Sequence, residues 1–231
     1  MPKDNKEQRT PYDALRLFSA LTHGIGFWMA TAGIGVLIAV TAFVGTVWHI
    51  VSYSVYGAAL VGLYATSTLY HSLRVRPEYR QTLRKLDHIM IYLLIAGTYT
   101  PICLVALRRV SQGWGWAIFG VIWFFALAGT IIKICWLNAP RWVSATAYVG
   151  MGWLVIVAIV PLLRAIPEQM PASAFVWLMI GGLFYTVGGI LYALRWPGRD
   201  RKLFGFHEVF HIFILLGSIS HFAMMLALRR A

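Results

Sequence analysis

His207-Glu208-Val209-Phe210-His211 opens the last apolar stretch of the chain, and Ile212-Phe213-Ile214-Leu215-Leu216 continues it without a charge. The stretch runs to about residue 228, close to the roughly 20 residues with which a helix crosses a bilayer. In a helix, side chains four residues apart lie on one face, about 40° from each other. That is the spacing by which one helix gives a metal ion two nitrogen ligands. An ionisable group inside a membrane segment is costly and marks a functional site by default. The stretch therefore predicts a membrane helix that begins with a pair of candidate ligands.

The rest of the chain agrees with the membrane reading. Of 231 residues, 59% are hydrophobic and the mean hydropathy is +0.70, too apolar for a soluble domain of this size. Seven segments are long enough to span: 19–43, 48–72, 87–107, 114–135, 143–163, 173–194 and 207–228. The fold class expected is an all-α membrane protein: a short N-terminal segment, residues 1–18, followed by a seven-helix transmembrane domain, residues 19–231. Gly45 and Thr46 are the only punctuation between the first two spans. Pro101 and Pro161 should each kink or end a helix. Gly181, Gly182, Gly188 and Gly189 in the sixth span, with Gly150 and Gly152 in the fifth, offer close approach to the seventh.

The formal charge of +12 does not indicate nucleic acid, because Lys and Arg sit in short clusters between apolar segments. Such clusters set topology and meet anionic lipid headgroups. With the N-terminus cytoplasmic, 15 basic residues fall inside and 5 outside, so the rule that positive loops stay in the cytoplasm favours N-in and C-out. The location expected is a cell membrane, multi-pass, in the manner of a bacterial inner membrane. Cys103 and Cys135 fall near opposite faces, which argues against a disulfide between them.

This topology gathers chemistry in one layer. His71 ends the second span, Asp87 begins the third and His207 begins the seventh, all at cytoplasmic ends. Ser67 lies one turn from His71 on the same face. Three imidazoles with an open position make the pattern of a catalytic zinc site, so His71, His207 and His211 are the candidate metal ligands. Asp87 either holds the zinc water and accepts its proton or ligates directly, and Ser67 hydrogen-bonds Asp87, the water or a substrate carbonyl. A single intramembrane histidine is usually a strut between helices; the case for a metal rests on the spacing and on the shared layer. His-Glu-x-x-His is also the metalloprotease arrangement, which makes Glu208 a rival base. That pattern wants a further ligand downstream, where His221 is the only ionisable candidate, so Glu208 reads better as a headgroup-level or loop partner. His23 reads as a neighbour of the site or a packing contact. His88 points away from Asp87, His49 has no partner in view, and His221 reads as a bond to a neighbouring helix. The Trp residues at 48, 114, 116, 136, 142 and 196 fit interfacial belts.

Thr22-His23-Gly24-Ile25-Gly26, Ser67-Thr68-Leu69-Tyr70-His71, Leu86-Asp87-His88 running to Thr98-Tyr99-Thr100-Pro101, and His207-Glu208-Val209-Phe210-His211 together resemble the haemolysin III family, which groups with the progestin and adipoQ receptors and, more distantly, the alkaline ceramidases. The resemblance covers about residues 11 to 228. It implies a seven-helix fold, N-terminus inside, with zinc on His71, His207 and His211 near the cytoplasmic face, Asp87 holding the zinc water and Ser67 in the site. It implies hydrolysis of a lipid amide or ester in the manner of a ceramidase, and a role in membrane lipid homeostasis. Some members were named for haemolytic, pore-like activity. Many members carry an acidic residue and an Asn where this chain has Arg16 and Ser19. Three functions follow: a zinc-dependent lipid hydrolase whose substrate headgroup meets Arg74, Arg76, Arg80, Lys85, Arg199 and Lys202; a non-enzymatic receptor-like protein with a structural zinc; and, last, a pore, for which helices four to six carry too few polar groups.

Overall fold

The computed structural model describes residues 15–166, 168–198, 201 and 203–229. Lys3, Lys6, Arg9, Arg199, Lys202 and Arg230, on which part of the charge count and of the headgroup expectation rests, lie outside them. The described residues form helices and connections without strands. Seven helices are long and apolar enough to cross a membrane: α1 Leu17–Val44, α2 Val47–Ser72, α3 Pro77–Val110, α4 Gln112–Cys135, α5 Arg141–Arg164, α6 Ala172–Leu194 and α7 Phe206–Leu228. The protein is a multi-pass membrane protein. Its helices form a ring, each packed on its sequence neighbour, closed by α1 against α7, with α3 also meeting α5. Large apolar side chains such as Trp28, Phe43, Phe124, Ile131 and Leu183 face outward, as lipid contact requires.

Gly45 and Thr46 do separate α1 from α2. Gly45 leaves the helix in extended conformation, and Thr46 caps α2, with its amide and hydroxyl both meeting His49 Nδ1 at 3.1 and 2.9 Å. His49 thus serves a helix start. The third helix begins ten residues before the expected 87. Hydropathy detects only lipid-immersed turns, whereas Pro77 starts the helix at its first position and Glu78, Gln81, Arg84 and Lys85 carry it through the polar layer on helix propensity alone. Asp87 therefore lies inside α3 rather than at its start.

Both proline-bearing helices are irregular. After Pro101 the backbone widens into a π-helical stretch, Ile102–Leu107, every residue of it buried. In α5 the irregularity precedes Pro161: residues Trp153–Ala158 are 3-10 helical. A broken helix in lipid must have its freed backbone groups satisfied by neighbours. Tyr99 of α3 does this: its hydroxyl donates to the Gly152 carbonyl at 2.6 Å and accepts from the Val155 amide at 2.7 Å.

The glycine expectation divides. A Cβ at Gly181 or Gly188 would meet His221 or Phe213 of α7, so these two permit the α6–α7 contact, while Gly189 faces Val149 of α5. Gly150, Gly152 and Gly182 have open space where a Cβ would stand and do not mediate close packing. The six tryptophans expected in belts are exposed at or beside helix ends. Cys103 is buried, Cys135 exposed, and both are free.

Candidate metal centre

The end of α2, the early turns of α3 and the starts of α1 and α7 meet at one end of the bundle. There the ligand atoms of His71, His207 and His211 all lie within 4.8 Å of one another. His71 Nε2 stands 3.2 Å from His207 Nε2, and the three ring centroids are 4.7–5.1 Å apart. His71 and His211 are buried and His207 partly so. The cause is local. The four-residue repeat puts both α7 imidazoles on its inward face, and His71 is the last inward residue of α2.

The donor set suits zinc. Two nitrogens on one tetrahedral zinc stand roughly 3.3 Å apart, given Zn–N bonds of about 2.0–2.1 Å, which matches the His71–His207 separation. His211 Nδ1 is buried with no hydrogen-bond partner, an arrangement that a purely structural strut does not need.

Asp87 is not among the residues whose ligand atoms converge. Its carboxylate instead faces the Ser67 side chain, one turn from His71. Ser67 is buried and the Asp87 side chain is 17% exposed. His88 approaches Asp87 only to 3.9 Å; its Nδ1 is engaged by the Arg84 carbonyl at 2.8 Å. His221 Nε2 meets the Leu178 carbonyl of α6 at 3.3 Å.

Glu208 has a definite occupation. One carboxylate oxygen accepts from Arg16 Nη1 at 2.8 Å and Ser19 Oγ at 3.2 Å, the other from the Gly205 amide at 2.8 Å. The last bond caps the start of α7; the first two fasten α1 to it. Arg16 also donates its amide to the His71 carbonyl at 3.2 Å. One buried carboxylate and one arginine therefore join the three helices that carry His23, His71 and the His207–His211 pair. With both oxygens engaged, Glu208 is a partner of the helix start and of α1 rather than a free base. Arg16 and Ser19 are the side chains that bind it.

Sequence reasoning left His23 undefined. It is buried and lies against His211, rings stacked at 3.8 Å, with Tyr64 edge-on at 5.0 Å. The signal available was the spacing Arg16–Ser19–His23, which puts all three on one face of α1. Of the basic residues expected at headgroups, Arg74 and Arg76 are exposed, but Arg80 is buried and donates to the Leu73 carbonyl at 2.6 Å, closing the end of α2.

Comparison with known proteins agrees with the motifs. Hemolysin-3 of Bacillus cereus is 38% identical over 208 residues, covering 90% of this chain and 89% of the relative. The Hemolysin-3 homolog of Bacillus subtilis is 35% identical over the same length, 90% of this chain and 91% of the relative. More distantly, the human monocyte to macrophage differentiation factor is 23% identical over 180 residues, 76% of this chain and 69% of that protein. The family described as Haemolysin-III related matches residues 16–222, from the arginine that binds Glu208 to the residue after His221, and this chain belongs to it.

Proposed function

We propose that the protein is a membrane-embedded, zinc-dependent hydrolase of a lipid amide or ester, serving membrane lipid homeostasis from the cytoplasmic side. The observation that carries this reading is the convergence of His71, His207 and His211 beside a carboxylate that is not itself converged on them. His71, His207 and His211 would hold the ion. Bound zinc supplies Lewis acidity, polarising a carbonyl and acidifying water. Asp87 is the residue to accept the proton of the attacking water. Ser67, whose side chain faces the Asp87 carboxylate, is the residue to orient it.

A lipid substrate is favoured by what lies one turn below. A cavity of about 110 Å³ is lined by Leu63, Ile91, Phe210 and Ile214 among other residues. Leu63 is one turn from Ser67, Ile91 one turn from Asp87, and Phe210 and Ile214 flank His211. A headgroup amide or ester at the cluster would thus have its tail in an apolar space. The exposed Arg74 and Arg76 stand at the same end, where anionic headgroups lie.

A second reading, zinc as a cross-link in a non-enzymatic protein, is favoured by the direct His71–His207 contact between α2 and α7. One experiment separates the two. The purified protein is loaded with zinc and incubated with ceramides, acyl amides and phospholipids. The hydrolase reading expects turnover that Asp87→Asn abolishes while zinc stays bound. Zinc-loaded protein inert on the whole panel, or full activity in Asp87→Asn, overturns it.

A further inference from the structure

The apolar cavity beneath the histidine cluster is a slot with a definite length. On α6 its wall is Leu178, Met179, Gly182, Tyr185, Thr186 and Gly189, a stripe at the three- and four-residue spacing of one helix face. From Leu178 to Gly189 is eleven residue steps, as it is from Ile91 to Ile102 on α3 and from Phe210 to His221 on α7, which line the slot between the same limits. Each run is about 16 Å long. The room open to the centre of a water-sized sphere is about 110 Å³. Spread over that length, it makes a bore of roughly 3 Å radius, the width of one hydrocarbon chain.

Five hydroxyl-bearing residues stand on the wall, and each hydroxyl is engaged. Thr98 donates to the Leu94 carbonyl, Tyr99 to that of Gly152, Tyr148 to that of His88 and Thr186 to that of Gly182, while Tyr185 pairs with Ser218. Trp153 Nε1 donates to Thr186 Oγ1 at 2.9 Å. The surface left to the slot is largely hydrocarbon, which suits an acyl chain and not a polar solute. The far end is shut. Beyond Leu178 and His221 along their helices stand Ala174, Met224 and Met225, none of them exposed, and beyond Ile102 the buried π-helical stretch. Gly182 is central to the α6 stripe, and a Cβ there would meet nothing within 4 Å. The missing side chain keeps the far part of the slot open.

We propose that the slot is a length gauge for a single acyl chain of about 16–18 carbons, with Gly182 as the residue that sets its depth. Two helices give the length. Tyr192, whose ring lies 5.9 Å from that of His207, marks the level of the cluster on α6. Leu178, at the far end, is fourteen residue steps away, about 21 Å. From Asp87 to Ile102 on α3 is fifteen steps, about 22 Å. An extended chain advances about 1.25 Å per carbon, given C–C bonds of about 1.52 Å, so a carbonyl at the cluster puts the sixteenth to eighteenth carbon at the closed end. A methylene gains little by exchanging lipid for protein, since lipid tails are as apolar as leucine. Selection is therefore by fit: a short chain leaves a void and a long one meets the closed end. The proposal rests on the tail placement of the hydrolase reading, not on turnover.

Competition binding in detergent tests it, with Asp87→Asn as the host so that no turnover is expected. The probe is a palmitoyl amide brominated near its seventh carbon. Thr186, which holds Trp153, is six residue steps from Tyr192, about 9 Å or about seven carbons, so the bromines should quench the fluorescence of Trp153. Saturable quenching that Trp153→Phe removes is expected. In a homologous series of unlabelled saturated acyl amides, chains of about 16–18 carbons should displace the probe best, with severalfold weaker displacement by shorter and longer ones. In Gly182→Leu the new side chain leans toward Leu178 and fills about 6 Å of the slot, so the optimum should fall by about four or five carbons. Gly182→Val, a smaller plug, should move it less and serves should the first variant not fold. Quenching that Trp153→Phe leaves in place overturns the proposal. So does displacement that rises with chain length without an optimum, or an unchanged optimum in folded Gly182→Leu. Wild-type protein inert on every lipid, beside this profile, removes the hydrolase reading and leaves the gauge standing.

Discussion

Removing the Arg16 guanidinium should loosen the whole histidine cluster without touching a histidine. In Arg16→Met, Glu208 remains buried, 1% exposed, with the Ser19 hydroxyl and the Gly205 amide as its remaining donors. Breaking a buried ion pair typically costs about 3–5 kcal/mol. Here the arginine side chain is 24% exposed and two donors persist, so about 2 kcal/mol is the expected loss, or a fall in Tm of about 4–8 °C for a chain of this size. Glu208→Gln should cost a similar amount, because its amide group cannot accept from all three donors. The double variant should cost much less than the sum, since each single change breaks the same connection. Groups that orient metal ligands typically govern 10- to 100-fold of affinity, and Arg16→Met should weaken cobalt(II) binding within that range. The assay is tryptophan-fluorescence melting in detergent with a cobalt titration of each variant. Single variants that melt within a degree of the wild type, or effects that simply add, would refute the coupling.

Other variants probe the irregular helices. Tyr99→Phe strips the Gly152 carbonyl and the Val155 amide of their shared partner and should cost about 2–4 kcal/mol, seen as a lower Tm and faster amide exchange at Val155. Gly217→Ala would drive a methyl group into the Tyr185 ring; overpacking of this kind costs about 1–3 kcal/mol, and the same melt should show it, whereas Gly182→Ala, with open space around it, should leave Tm unchanged.

Much of the site was legible because its defining residues are periodic. His207 and His211 share a face by spacing alone, and loop charge placed His71 and Asp87 at the same end. The seven spans were legible to within a few residues, except where a helix leaves the lipid: Pro77–Leu86 is helical yet polar, and hydropathy does not register it. What could not be read were partnerships fixed only by tertiary placement. Arg16 and Glu208 are 192 residues apart, and Tyr99 fills a break 53 residues away in α5. That one carboxylate both caps Gly205 and holds α1 did not follow from reading Glu208 as a headgroup-level or loop partner, because the second contact depends on how the ring of helices closes.

The central claim, that three imidazoles from two distant helices share one metal ion, is tested most directly by metal content. Elemental analysis of purified wild-type protein should find about one zinc per chain. His207→Ala and His211→Ala, prepared in parallel, should each retain little or none while keeping the helical signature of the fold. Wild-type protein that takes up no zinc, or variants that hold as much as the wild type, would contradict the account.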